Sequence, residues 1–264
     1  MRLPERLAAN VAWLFTEHAW LDRFAAAADA GFAQVEFPWP DDPAATAAAV
    51  KRAGLRVAML NAAAGDLAAG ERGWPNDESR TSEWRSAFAD AVELAVDLGC
   101  PTVNVLAGNR VPGRGDHEQL ESLEANLRWA IATAAPRGVA VVTELLNPRE
   151  NAQYLLARVD DVEPLLTELG PIGWRLQLDT WHLALAEPDV PAAIRRATGR
   201  IGHVQVADAP GRREPGTGVL DWDAIRAALR DAGYHGPIGL EYRPQAATVD
   251  GLADGSALGG WLRA

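Results

Sequence analysis

Four polar side chains stand out as the beginnings of an active site: Glu144, Asp179, Gln205 and Glu241. Each closes a short apolar segment, in Val141-Val-Thr-Glu144, Leu176-Gln-Leu-Asp179, His203-Val-Gln205 and Ile238-Gly-Leu-Glu241. Residues of an extended chain alternate between two faces, and this alternation puts all four groups on the inward faces of their strands. Three carboxylates crowded together repel one another, and a divalent cation relieves the repulsion. An all-oxygen set of three carboxylates and one amide suits Mg²⁺ or Mn²⁺ better than zinc. Each residue also has a plainer reading. Glu144 can begin a loop, Asp179 can cap a helix starting at Thr180, Gln205 can be a satisfied core amide, and Glu241 can be a rim charge. His182 can pack or cap. The combination is what points to chemistry.

Such a set needs a scaffold that delivers successive strand ends to one rim. Strand-like apolar segments occupy 7–15, 34–37, 56–61, 102–107, 139–146, 174–179, 201–207 and 237–242. Helical patterns follow over 20–30, from Asp42-Pro43, and over 80–98, 116–135, 160–169, 190–197, 222–232 and 248–262. Pro43 suits a first helical turn, and Gly31 and Gly99 mark helix ends. The fifth strand is continuous and β-branched, as burial on both faces requires. Eight strand-then-helix units, with no compositional break, predict a single α/β domain over 1–264: a (β/α)₈ TIM barrel, with its site at the C-terminal strand ends. An open doubly wound sheet is disfavoured, because no glycine-rich fingerprint joins the first strand to the first helix.

Composition narrows the partners. The chain has 264 residues and is 48% hydrophobic, enough for one large core. A net charge of −11 disfavours nucleic acid as a partner. The single cysteine, Cys100, precludes an intramolecular disulfide, fits a reducing compartment, and reads as a buried structural thiol ahead of Pro101. No apolar run approaches the ~20 residues of a membrane span, and the N-terminus lacks a signal-peptide core. The expectation is a cytoplasmic protein acting on a small molecule, with a homo-oligomer left open.

Several motifs extend the site. They are Asp179-Thr-Trp-His182, His203-Val-Gln205, Asp208, Gly211-Arg212, Glu214-Pro-Gly-Thr-Gly218 and Glu241-Tyr242. Together they resemble the xylose-isomerase-like barrel superfamily, which includes sugar epimerases, endonuclease-IV-type enzymes and hydroxypyruvate isomerase. Ala64-Gly-Asp-Leu-Ala-Ala-Gly-Glu-Arg-Gly73, Ala9-Asn-Val-Ala-Trp-Leu-Phe15 and Gln205 are similar to the hydroxypyruvate isomerase branch in particular. The resemblance implies that Glu144, Asp179, Gln205 and Glu241 hold a divalent metal and that Glu144 and Glu241 are the acid/base pair. It implies that His182 and Arg212 contact substrate; Asn61 and Glu71, at the end of the third strand and on the loop after it, are further candidates for substrate binding. Relatives tend to have His-Asn where this chain has Leu60-Asn61.

The reaction so implied is metal-assisted aldose–ketose isomerisation of hydroxypyruvate to tartronate semialdehyde through an enediolate. A ketose or keto-sugar-acid epimerase or isomerase of the same superfamily is the alternative, and a sugar-acid-binding barrel or a nuclease is a remote one. Arg212, or its neighbour Arg213, offers the cation that a substrate carboxylate needs. Glu71 and Arg72 either close over the ligand or pair with each other.

Overall fold

Short aliphatic runs separated by helices have one efficient way to bury both faces: closure of the sheet on itself beneath a ring of helices. The computed structural model describes residues 3–253. Its strands are β1 (Leu7–Asn10), β2 (Gln34–Phe37), β3 (Arg56–Asn61), β4 (Thr102–Asn104), β5 (Ala140–Glu144), β6 (Arg175–Asp179), β7 (Ile201–Val206) and β8 (Ile238–Leu240). They pair in sequence order, all parallel, and β8 returns to β1 through Leu7 opposite Ile238 and Ala9 opposite Leu240. The expected (β/α)₈ barrel is the observed fold.

The main helices are α1 (Asp22–Asp29), α2 (Pro43–Ala53), α3 (Thr81–Leu98), α4 (Asp116–Ala134), α5 (Glu163–Leu169), α6 (Thr180–Ala186), α7 (Val190–Arg196), α8 (Trp222–Asp231) and α9 (Thr248–Ala253). Asp42, Asp179, Asp189 and Asp221 each accept a backbone N–H of the first turn, starting α2, α6, α7 and α8. Phe24, Phe88, Leu123 and Leu127 are fully buried in the core cluster with sheet residues such as Val35, Val103 and Leu176.

The strands are shorter than their apolar runs. β1 stops at Asn10, whose carbonyl accepts Trp13 N and Leu14 N in a turn, so Val11, Leu14 and Phe15 bury their side chains without extending the sheet. Hydrophobicity records burial there, not conformation. At the ends of β4 and β5, Ala107 N donates to the Tyr154 hydroxyl (2.7 Å), which donates to the Glu144 carbonyl (2.9 Å). A side chain thereby replaces the ladder. α6 follows β6 directly, an additional helix ahead of the expected one at 190–197. Of the expected terminal helix at 248–262, α9 covers the start, and 254–262 lie outside the described residues.

The barrel interior is polar under the site. Glu36, on β2, is fully buried and meets His203 Nε2 at 2.6 Å. It also accepts Gln205 Nε2 at 2.7 Å, and Gln205 Oε1 in turn accepts Gln177 Nε2 at 2.7 Å. Every buried polar group needs such a partner. Gly239 on β8 makes the room: a Cβ there would lie 2.3 Å from both Glu36 carboxylate oxygens. Gly239→Ala therefore displaces Glu36 and is expected to cost about 1–3 kcal/mol, the range for overpacked cores. A urea midpoint equal to wild type would show that the carboxylate has space elsewhere.

Candidate active site

The sequence puts an acid at the last residue of β5, the last residue of β6 and the residue after β8, and barrel closure turns these ends toward one cavity. Asp179 is fully buried and does two jobs. One oxygen caps α6 by accepting Trp181 N (2.8 Å), and the other accepts Arg212 Nη2 (3.1 Å). The capping reading and the site reading of Asp179 therefore both hold. Among the described residues Glu144 accepts Asn104 Nδ2 alone, at 3.3 Å, and burial, followed by the charge of Asp179, pushes its pKa up to about 8. Glu241 pairs with Arg212 Nη2 and accepts Asn10 Nδ2 at 3.1 Å, and the same Asn10 amide reaches Glu36 at 3.1 Å. Burial raises the Glu241 carboxyl as well, against the pull of Arg212.

Arg212 is buried between two indoles, 4.2 Å from the Trp13 ring centre and 4.6 Å from that of Trp181. Burial opposes its charge, but Glu241, Asp179 and Glu144 outweigh it and keep the guanidinium ionised. Its backbone sits at φ +52°, a conformation side-chain-bearing residues seldom adopt, so the surrounding loop has to enforce it. Asp208 does so: its carboxylate accepts Ala209 N (2.8 Å), Gly216 N (2.7 Å), Leu220 N (3.2 Å) and Trp222 Nε1 (2.8 Å). Arg213 is exposed and donates to the Arg243 and Pro244 carbonyls, leaving Arg212 as the cavity arginine of this loop.

His182 stands on α6 with Nε2 3.9 Å from Asp179 and 4.0 Å from Glu144, and ligand atoms of these three residues lie within 4.8 Å of one another. Its Nδ1 accepts the Asn147 backbone N–H at 2.8 Å. That bond leaves the ring proton on Nε2, facing the cavity. A metal-ligating imidazole does the reverse, donating through its second nitrogen. Burial pushes the His182 pKa down to about 3, so the ring is neutral and offers a donor rather than a lone pair.

A divalent cation fits the remaining donors. Glu144, Asp179 and Glu241 bring three carboxylates against one buried arginine, and the Glu144 pKa is raised by burial first and by the charge of Asp179 second. Gln205 lies in the layer below, with its Oε1 engaged by Gln177 on one side only.

The cavity encloses about 450 Å³ and is lined by Asn61, Glu144, His182, Arg212 and Glu241 among others. Glu71 is placed elsewhere: its carboxylate accepts Asp66 N at 2.7 Å and pairs with Arg80, whereas its neighbour Arg72 lines the cavity. Asn10, Trp13, Glu36 and Asn104 escaped the sequence reading. Asn10, Glu36 and Asn104 are polar residues at or near strand ends, the very signal that singled out Glu144.

Closed parallel strands that gather acids around a small polar cavity are the architecture of a barrel enzyme, and the relatives of this chain place it among the isomerases. The chain belongs to the xylose isomerase-like TIM barrel family, whose model matches residues 24–263, and within it groups with the hydroxypyruvate isomerases. It is 39% identical over 262 residues to a 2-oxo-tetronate isomerase of Cupriavidus necator, covering 98% of this chain and 97% of that one. The hydroxypyruvate isomerase of Escherichia coli is 32% identical over 249 residues, covering 94% and 96%. A solved structure from Brucella melitensis, described as an AP endonuclease of family 2, superposes with a TM-score of 0.88 at 33% identity, covering 95% and 97%.

The raised Glu144 pKa has a consequence for stability. An unfolded Glu144 ionises near its ordinary value of 4.5, and the folded one near 8. Between those values the folded chain holds a proton that the unfolded chain has lost, so stability falls as pH rises. In metal-free buffer, Glu144→Gln is expected to gain Tm relative to wild type progressively from about pH 5 to about pH 8. A difference that stays flat over this range would show that Glu144 ionises normally.

Proposed function

We propose that this protein is a sugar-acid isomerase that interconverts hydroxypyruvate and tartronate semialdehyde, or carries out the equivalent step on 2-oxo-tetronate. One observation carries the reading: Glu144 and Glu241 face the same small cavity from strands three apart, Glu144 buried and Glu241 largely so, both with raised proton affinity. Simple binding has no use for such a pair; moving a proton between adjacent carbons does. The relatives named for hydroxypyruvate and 2-oxo-tetronate support the substrate class.

Hydroxypyruvate carries its hydroxyl on C3 and its carbonyl on C2. Glu241, held against the Arg212 guanidinium, is the base of the pair and takes a proton from C3. The C3–H electrons form a C2–C3 double bond and the carbonyl pair moves onto O2. Glu144 acts as the acid and delivers a proton to C2, and the C3 hydroxyl becomes the aldehyde as its proton passes to O2. The His182 Nε2–H and the Arg212 guanidinium are placed to steady the negative oxygen in between. Turnover leaves Glu241 protonated and Glu144 ionised, and exchange with solvent resets them. Mg²⁺ or Mn²⁺ held by Glu144, Asp179, Gln205 and Glu241 would supply Lewis-acid polarisation of the substrate oxygens and acidify the C3 proton.

In D₂O, metal-loaded protein is expected to place deuterium at C2 of tartronate semialdehyde and at C3 of recovered hydroxypyruvate. Absence of exchange with hydroxypyruvate, 2-oxo-tetronate and a panel of ketoses would overturn the isomerase reading. Glu241→Gln should lower turnover by about 10²–10⁴-fold, the usual contribution of a positioned acid or base, with Tm preserved. Near-normal rates would remove Glu241 from the proton path. EDTA should abolish activity and Mg²⁺ or Mn²⁺ restore it.

A further inference from the structure

One charged group on the cavity wall has no task in this scheme. Arg72 follows Glu71 on the long connection between β3 and α3, and this connection is built as a closed turn. Asp66 Oδ1 accepts Ala68 N and Ala69 N, both at 2.9 Å, and Gly73 N donates to the Ala64 carbonyl at 2.8 Å. Glu71 folds back onto Asp66 N, over Gly65, where a Cβ would come within 2.3 Å of the Glu71 carboxylate.

From this turn Arg72 reaches the cavity wall. Its Nε donates to Asn151 Oδ1 (2.8 Å), and its Nη1 donates to the carbonyls of Leu67 (3.1 Å) and Glu71 (2.7 Å). Among the described residues Nη2 has no acceptor, and no carboxylate forms an ion pair with Arg72. Asn151 belongs to the segment that also carries Asn147, which orients His182, so one support positions both groups. The positive charge of Arg72 is felt inside the site, where it lowers the proton affinity of His182.

The other cationic groups of the cavity are differently placed. Arg212 Nη2 is committed to Asp179 and Glu241. Arg243 is exposed, with its guanidinium 5.1 Å from the Trp13 ring centre. Glu150 also lines the cavity but is exposed and unpaired with Arg72. A held guanidinium with a spare donor edge and no internal counter-ion suits an incoming carboxylate.

We propose that Arg72, rather than Arg212, binds the carboxylate of the substrate and thereby makes the site selective for 2-oxo acids over neutral ketoses; this rests on the isomerase reading. Arg72 is a specificity residue here, and the acid/base pair does not depend on it.

The test compares hydroxypyruvate with dihydroxyacetone, in which –CH₂OH replaces the carboxylate, on the metal-loaded enzyme. Arg72→Gln is expected to raise KM for hydroxypyruvate about 10- to 100-fold, the effect of losing one charge-assisted contact, while kcat changes little. Deuterium exchange into dihydroxyacetone should be unaffected, and Arg72→Lys should recover part of the loss. Equal losses on both compounds would assign Arg72 a structural role and overturn the proposal. So would an unchanged KM, or a loss that appears in Arg243→Gln instead. If wild type exchanges neither compound, the isomerase reading is what fails. Calorimetric binding of hydroxypyruvate then decides Arg72 independently: weaker binding by Arg72→Gln upholds the carboxylate contact, and equal binding removes it.

Discussion

The site depends on the burial of one guanidinium among three carboxylates. Arg212 touches Asp179 and Glu241 and is enclosed by Trp13 and Trp181. Taking charges out of water is costly, and a buried pair holds only when its geometry is good and its remaining donors and acceptors are met. Here the compensation is incomplete by design. One arginine faces three acids, and burial, with the neighbouring carboxylates adding to it, raises the proton affinity of Glu144 and Glu241. Such a cluster is the setting that the proposed cation and the proposed proton transfer both require.

Arg212 can occupy this position because its loop is organised from outside the cavity. Asp208 gathers three backbone N–H groups and the Trp222 indole, so residues 208–222 form one hydrogen-bonded unit. The positive φ of Arg212 is then a small cost set against many bonds. On the opposite wall Asn147 and Asn151 do equivalent work, fixing His182 as an Nε2–H donor and holding Arg72 along one edge. Several functional side chains are thus oriented by residues that never meet a ligand.

Beneath the cavity, Glu36, His203, Gln205 and Gln177 form a buried chain joined through Asn10 to Glu241. The interior of the barrel is therefore a polar floor, and Gly239 is required by packing for that floor to exist. Gln205 lies in this floor as a satisfied core amide, its Nε2 on Glu36 and its Oε1 on Gln177.

Much was legible before any coordinates. Strand-then-helix repetition determines a closed barrel, because eight right-handed units bury their apolar faces best that way. The inward positions of Glu144, Asp179, Gln205 and Glu241 follow from a period of two, and barrel closure does the rest. Other features are outside the reach of local pattern. The bridge that Tyr154 makes from Glu144 to Ala107 and the hold of Asn151 on Arg72 join residues 47 and 79 positions apart. The sequence by itself determined which strand ends carry acid. Only the tertiary structure decided which arginine is spent on those acids and which remains free, because a guanidinium's role is set by the charges packed around it, and packing joins residues that the chain keeps far apart.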